Sequence, residues 1–297
     1  MKCAIVALIG APNAGKSTLI NQMVGAKVSI VTHKVQTTRA RVRGVAVKDE
    51  TQLVLVDTPG IFAPRRMLDR AMVRTAWSEA GDADQIVLLI DAQKGVTEEV
   101  EAILSGLAKS ERRALVALNK IDRIKREKLL ELTQALSARD LFDEIFMISA
   151  LTGDGVADLF GHLVAQAGAG PWLFPEDQLS DMPQRLLAAE VTREKLYLRL
   201  HQELPYASSV ETLQYEERKD GSVRIDQTVF VERDSQKGIV LGKGGQTLKQ
   251  IGQEAREELS ELLGQTVHLF IHVKVREGWS HEAERLREIG LDVTDLS

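Results

Sequence analysis

The 297 residues contain a single cysteine, Cys3, which excludes any disulfide within the chain. The same scarcity fits a reducing compartment, and the cytosol is the expectation. Long hydrophobic runs are missing too. Each apolar stretch is broken by Gly, Asp or Lys well short of the roughly 20 residues that a membrane helix needs. The opening "MKCAIVALIG" has the basic residue and short apolar stretch of a secretory signal, but no small-residue cleavage site follows, so a mature strand is the better reading. An excess of positive charge is also absent. The net charge is −5, and residues 181–297 carry 16 basic against 21 acidic side chains. Bulk charge therefore does not draw nucleic acid to the C-terminal part, and any such contact must rest on local geometry.

What is present is the composition of a globular protein, 44% hydrophobic and 27% charged, in a length that suits two ordinary domains. "AIVALI", "QLVLV", "IVLLI", "ALVAL" and "IFMI" are short runs rich in Val, Ile and Leu, without alternation, as in strands buried on both faces. Between them, "TEEVEAILSGLAKS" and "REKLLELTQALSARD" space leucines as amphipathic helices do. Alternating elements predict a doubly wound α/β domain, with ligands at the carboxyl ends of its strands. Prolines then cluster in "AGAGPWLFPEDQLSDMP", read as a linker. A small α+β domain follows, in the order helix, two strands about Asp220-Gly221, two helices about a glycine turn, strand and helix.

Gly10-Ala11-Pro12-Asn13-Ala14-Gly15-Lys16-Ser17 satisfies G-x-x-x-x-G-K-S between a predicted strand and a predicted helix, which Thr18 continues. Such a loop turns backbone N–H groups onto phosphates, adds the Lys16 charge, and offers the Ser17 hydroxyl to Mg²⁺. Asp57-Thr58-Pro59-Gly60 ends another strand, with Asp57 placed for Mg²⁺ and the Gly60 N–H for a γ-phosphate. In the intervening "HKVQTTRARVRG", Thr37 and Thr38 are both candidates for the second hydroxyl on the ion. Asn119-Lys120-Ile121-Asp122 selects guanine, because a carboxylate can accept from N1–H and the 2-amino group, whereas adenine would leave it unpaired. The backbone of Ser149-Ala150-Leu151 is expected near the guanine O6. Ile61 stands where a water-orienting glutamine would be useful, so slow turnover is expected, helped by charge neutralisation. Lys16, Thr38, Gly60 and Asn13 are the residues expected to act in hydrolysis, Asn13 as a ligand for a bridging potassium ion.

The second glycine loop, Gly242-Lys243-Gly244-Gly245, lies between two amphipathic stretches. A G-x-x-G turn lets a sugar–phosphate backbone approach closely, with helix N–H groups and Lys243 facing phosphate and Lys249 a further RNA-binding residue. Ile239, Val240, Leu241, Leu248 and Ile251 are expected to wall a groove for single-stranded bases. His268 and His272 share a strand face without an evident third ligand and are read as exposed sheet residues. A nucleoside or nucleotide kinase using the same phosphate loop, and a switch that docks a protein or membrane partner through the acidic C-terminal part, are the rival readings.

With both loops placed, the chain resembles the Era family of bacterial GTPases, one branch of the TrmE–Era–EngA type. The resemblance runs over essentially the whole length, through "GAPNAGKSTL", "QTTR", "DTPG", "NKID", "SALTG", "FPED", "REKLYLRLHQELPY", "VERDSQKGIVLGKGG", "IGQEAR" and "VKVREGW". It implies a P-loop GTPase domain over 1–167, a linker over 168–183, and a type II KH domain with a C-terminal tail over 184–297. It further implies a monomeric, GTP- and GDP-binding cytoplasmic switch that binds 16S rRNA near its 3′ end and acts in assembly of the 30S subunit. Peripheral association with the inner membrane is implied as well, without a sequence segment to account for it. An apolar residue at the position of Ile61 fits the family.

Overall fold

A computed structural model describes residues 1–34, 37–39, 41–200, 204–278 and 291. They fall into two compact units, the first taking in Met1–Asp181 and the second beginning at Met182. In the first, β1 (Lys2–Gly10), β3 (Thr51–Asp57), β4 (Gln85–Asp91), β5 (Ala114–Asn119) and β6 (Phe142–Met147) run parallel. The strand order β2-β3-β1-β4-β5-β6 reverses direction at β1, where the phosphate loop begins. Helices cover both faces, which is why these strands read as unbroken apolar runs. On one face Leu19 and Ile20 of α1 (Lys16–Val24) and Leu159 and Leu163 of α5 (Val156–Gln166) are buried against Leu8, Leu55 and Leu89. On the other, α2 (Met67–Asp82), α3 (Glu98–Lys109) and α4 (Arg126–Ser137) pack Ala76, Ile103, Leu107 and Leu136 over Ile9, Leu88 and Val116.

Helix starts follow local chemistry. Thr97 caps α3 by accepting from the Val100 N–H, and Glu98, Glu99 and Glu101 complement the positive helix end. At α2 the Asp69 carboxylate reaches back to the Arg65 and Arg66 N–H groups at 3.1 and 3.0 Å.

β2 (Val42–Lys48) is the strand that sequence pattern does not reveal. It pairs antiparallel with β3, from Val42 opposite Asp57 to Lys48 opposite Thr51. Arg43 and Gly44 interrupt its apolar run, and the tight turn after Lys48 leaves no room for a crossover helix. The expected linker is largely bound to the first unit as a strap. β7 (Gly168–Ala169) pairs with Cys3 and Lys2. Buried Gln52 accepts from the Leu173 and Phe174 N–H groups at 2.8 and 3.1 Å and donates to the Phe174 carbonyl at 2.8 Å. Farther along, the Val45 N–H donates to the Leu179 carbonyl at 2.8 Å, and the Arg43 N–H to Asp181 at 3.1 Å.

The second unit opens with α6 (Gln184–Arg199). β8 (Ser208–Glu217) and β9 (Val223–Val231) form an antiparallel hairpin, its turn held by Asp220 accepting from Ser222. α7 (Asp234–Leu241) and α8 (Gln246–Leu263) precede β10 (Val267–Val275), which lies parallel to β9 at the sheet edge. Leu196, Val210, Val229, Val240 and Ile251 form one core cluster, and Ala188, Ile225, Ala255 and Leu259 another. The helix expected after β10 lies outside the described residues.

Candidate functional site

The phosphate loop curls because Gly15 has φ +103, a conformation that disfavours a side chain, and a Cβ there would meet the Asn119 amide nitrogen at 2.2 Å. Lys16 turns back under the loop. Its Nζ donates to the Gly10 and Ala11 carbonyls at 3.2 and 3.3 Å, and burial pushes its ammonium down to about 8, opposed by the Asp57 charge. Pro12, Asn13, Ser17 and Thr18 line a cavity of about 450 Å³, within the range of small-ligand sites. Asn13, at φ +63, donates from Nδ2 to the His33 carbonyl at 2.9 Å.

Asp57 is fully buried at the end of β3. Its Oδ2 accepts from Ser17 Oγ at 2.7 Å, Ser29 Oγ at 2.6 Å and Thr38 Oγ1 at 3.0 Å. Ser17 Oγ and Thr38 Oγ1 are themselves 3.0 Å apart. Asp57 Oδ1 is buried without a hydrogen-bond partner. Burial lifts this carboxyl above its ordinary range, against the Ser29 hydrogen bond, the Lys16 charge, and the Ser17 and Thr38 bonds. Hydroxyls converging on a buried carboxylate with an unsatisfied oxygen form a hard, all-oxygen donor set that fits a divalent cation.

The two candidate threonines have different partners. Thr37 is not brought to Asp57: its hydroxyl donates to the Lys34 carbonyl and lies 2.7 Å from Thr32 Oγ1. Ser29 is a partner that sequence reasoning missed. It is set by Asn21, whose Oδ1 accepts from the Val28 and Ser29 N–H groups at 2.9 Å each.

Gly60 lines the cavity, but its neighbours turn away. Thr58 is buried and donates to the Leu8 carbonyl at 2.7 Å, and Pro59 is buried as well. Ile61 is 4% exposed, packed among the α2 and α3 core residues, while its N–H donates to the Gly10 carbonyl at 3.0 Å.

On the base side, Asn119 lines the cavity with a side chain oriented by its neighbours. Nδ2 donates to the Ala14 carbonyl at 2.8 Å, and Oδ1 accepts from the Lys120 and Ala150 N–H groups at 2.8 and 2.9 Å. Asn119 thereby ties three loops together, with one of its two Nδ2 hydrogens and its Oδ1 engaged, and the Ala150 N–H is held by that Oδ1. Ile121 packs partly into the core. Asp122 does line the cavity, its Oδ1 oriented by the Ser149 hydroxyl at 2.7 Å, and Leu151 stands exposed at the rim. Lys120 donates from Nζ to the Asn13 carbonyl and to Asp91, both at 2.7 Å.

A second recess, of about 430 Å³, lies in the second unit between α8 and the edge strand β10. Gly245, Leu248 and Lys249 form one wall, and Leu269, Ile271 and His272 contribute the other, which sequence reasoning did not foresee. Gly242 has φ +72, and a Cβ there would fall 2.1 Å from Thr247 Oγ1, so the turn requires glycine. Gly244 faces open space. Ile239 is 58% exposed and Leu241 is packed partly against the core. Val240 and Ile251 do not wall the groove; both are fully buried, because each lies on the helix face turned to the sheet. Arg224 lies over the ring of Phe270, which is 46% exposed at the groove's edge.

Comparisons with known proteins bear on the family and the fold. The family described as "50S ribosome-binding GTPase" matches residues 5–120, and the KH domain family matches 203–280. GTPase Era of Sinorhizobium medicae is 60% identical over 98% of this chain and 94% of its own length. GTPase Era of Brucella suis is 61% identical with the same coverage. A crystal structure of an Aquifex aeolicus Era variant bound to GDP and AlF4⁻ superposes with a TM-score of 0.93, at 38% identity, covering 98% of this chain and 99% of that one. Era in complex with MgGDPNP and nucleotides 1506–1542 of 16S ribosomal RNA also gives 0.93, at 37% identity and the same coverage.

Proposed function

Because the chain belongs to the Era family of GTPases, we propose that residues 1–167 bind and hydrolyse GTP while 184–297 hold 16S rRNA near its 3′ end, joined through 168–183, in assembly of the 30S subunit. The observation that carries the nucleotide half is the convergence of Ser17 and Thr38 on Asp57, whose second oxygen is buried and unpartnered. Ser17, Thr38 and Asp57 would hold Mg²⁺ there, and the ion would neutralise charge that develops on the phosphates. Lys16 leaves the Gly10 and Ala11 carbonyls for the β- and γ-phosphates. Gly60 gives its N–H to the γ-phosphate, and Asp122 takes the guanine N1–H and 2-amino group. Thr38 senses the γ-phosphate and Thr37 does not.

Ile61, held in the core, has no role in orienting water, so unassisted turnover is slow. Asn13 keeps Oδ1 for potassium while His33 occupies its Nδ2. The RNA half rests on Gly242 to Gly245: the open side of Gly244 admits a sugar–phosphate backbone, Lys243 and Lys249 meet phosphate, and Ile239 with Leu241 flank the bases. A cytoplasmic, monomeric state with peripheral inner-membrane contact rests on family membership alone.

The test is a titration with GTP and ATP in Mg²⁺, followed by turnover in K⁺ and Na⁺ at equal ionic strength. Tight GTP binding, negligible ATP binding and faster turnover in K⁺ are expected. Equal affinity for ATP would overturn the guanine assignment, and equal rates in the two salts would remove potassium.

A further inference from the structure

Resting on the nucleotide reading above, we infer that Asp91 is a positioning residue for guanine-nucleotide affinity, acting through Lys120. Parallel pairing sets Asp91, the last residue of β4, beside Asn119, the last residue of β5. The Ala92 N–H donates to the Asn119 carbonyl at 2.9 Å, which locks the two strand ends together. Lys120 comes next, in the left-handed region at φ +68 and ψ +37, a conformation that a lysine rarely adopts without restraint.

That restraint comes from both ends of the residue. Its N–H is held by Asn119 Oδ1. Its ammonium is held by the Asn13 carbonyl and by Asp91 Oδ2, each at 2.7 Å. Asp91, 8% exposed, is fixed in turn: its Oδ1 accepts from the Gln93 N–H at 3.0 Å, and its carbonyl accepts from the Lys94 and Gly95 N–H groups at 3.0 and 2.9 Å. Lys120 and Asp91 both line the nucleotide cavity.

The consequence is mechanical. With its head clamped, the four-carbon stem of Lys120 is stretched between the base-recognition loop and the phosphate loop. The ammonium also fixes the Asn13 peptide, on which the phosphate loop's curvature depends. Without the Asp91 carboxylate, a long, solvated cation gains rotamer freedom, and the Asn13 carbonyl keeps its donor only part of the time. Nucleotide release should then be faster, while Ser17, Thr38 and Asp57, which are bonded to one another, stay in place.

The experiment uses the full chain, a fluorescent guanine nucleotide for equilibrium and dissociation rates, and GTP turnover. Asp91→Ala should weaken GDP and GTP by about tenfold, through faster dissociation, the loss of one charged hydrogen bond. The effect should fall on KM rather than on kcat. Asp91→Asn keeps an oxygen for the Gln93 N–H, so it serves where the alanine variant does not fold, and should lose less. In a Lys120→Met background, Asp91→Asn should add no further loss. An additive loss in that background would overturn the inference, because Asp91 would then act only on its own turn. So would unchanged affinity in Asp91→Ala. A native chain that binds no guanine nucleotide would instead overturn the nucleotide reading, and this inference with it.

Discussion

At Asp57 the protein buries a carboxylate against hydroxyls from three separate segments, and at Lys16 it buries the opposing ammonium. Each residue is held in a state that a bound nucleotide and its metal would relieve. For Lys16 the sign is definite. Its pKa is depressed to about 8 without nucleotide, so raising the pH past 8 strips the proton that phosphate binding needs. Nucleotide affinity should therefore fall above pH 8, and binding near pH 9 should take up about one proton, read as a buffer-dependent heat in calorimetry. Heats independent of the buffer would contradict this. Thr38→Ala should weaken Mg²⁺-dependent GTP binding about tenfold by the loss of a hydroxyl ligand, with Thr37→Ala changing it less than about twofold. Equal losses would show that the hydroxyl facing Asp57 has no special role.

Much at this scale was legible because backbone chemistry dictates it: a loop that wraps phosphate needs glycine, then a cation, then a hydroxyl. Asn119, Ser29 and Asp91 were not legible in the same way. Their partners lie far along the chain, so strand register rather than spacing creates the contacts. Thr37 and Thr38 are adjacent and chemically identical, and only the path of the backbone separates them.

Among elements, the strap deserves the same physical treatment as a strand. Gln52 sits in a strand buried on both faces, where an amide survives only if both of its ends are bonded. Gln52→Ala strands the Leu173 and Phe174 backbone groups and should cost about 1–3 kcal/mol. Faster amide exchange confined to residues 172–180 and a lowered Tm would agree; an unchanged Tm would show that the strap is held by its other contacts, at β7, Trp172, Leu179 and Asp181. The parallel strands were readable from sequence because double burial demands uniform apolarity. β2 was not, since Arg43 and Gly44 break the pattern and its burial depends on the strap lying across its edge. Val240 and Ile251 were misread because apolar residues flanking a glycine turn look alike until the helix phase is known. In the same element, Gly242→Ala should disturb the turn by about 1–2 kcal/mol, through its positive φ and the clash with Thr247. RNA affinity should fall with it, while GTP affinity remains.

In the whole molecule a guanine-nucleotide switch is joined to an RNA-binding module that carries net negative charge. Binding to RNA must then come from the turn at 242–245 and the recess beside it rather than from a general field, and it should show a shallow dependence on salt. β2 follows Thr38 within a few residues and is bonded to the strap that ends at Asp181, so ordering of Thr38 by γ-phosphate is expected to change RNA affinity. RNA crosslinking in cells, with sequencing of the captured fragments, tests the link between the 242–245 turn and ribosomal RNA. The native chain is compared with a Lys243→Asp/Gly244→Asp variant shown to fold and to bind GTP. Enrichment of the 3′ region of 16S rRNA is expected with the native chain, and its loss in the variant. Matching profiles, or no enrichment at all, would contradict it.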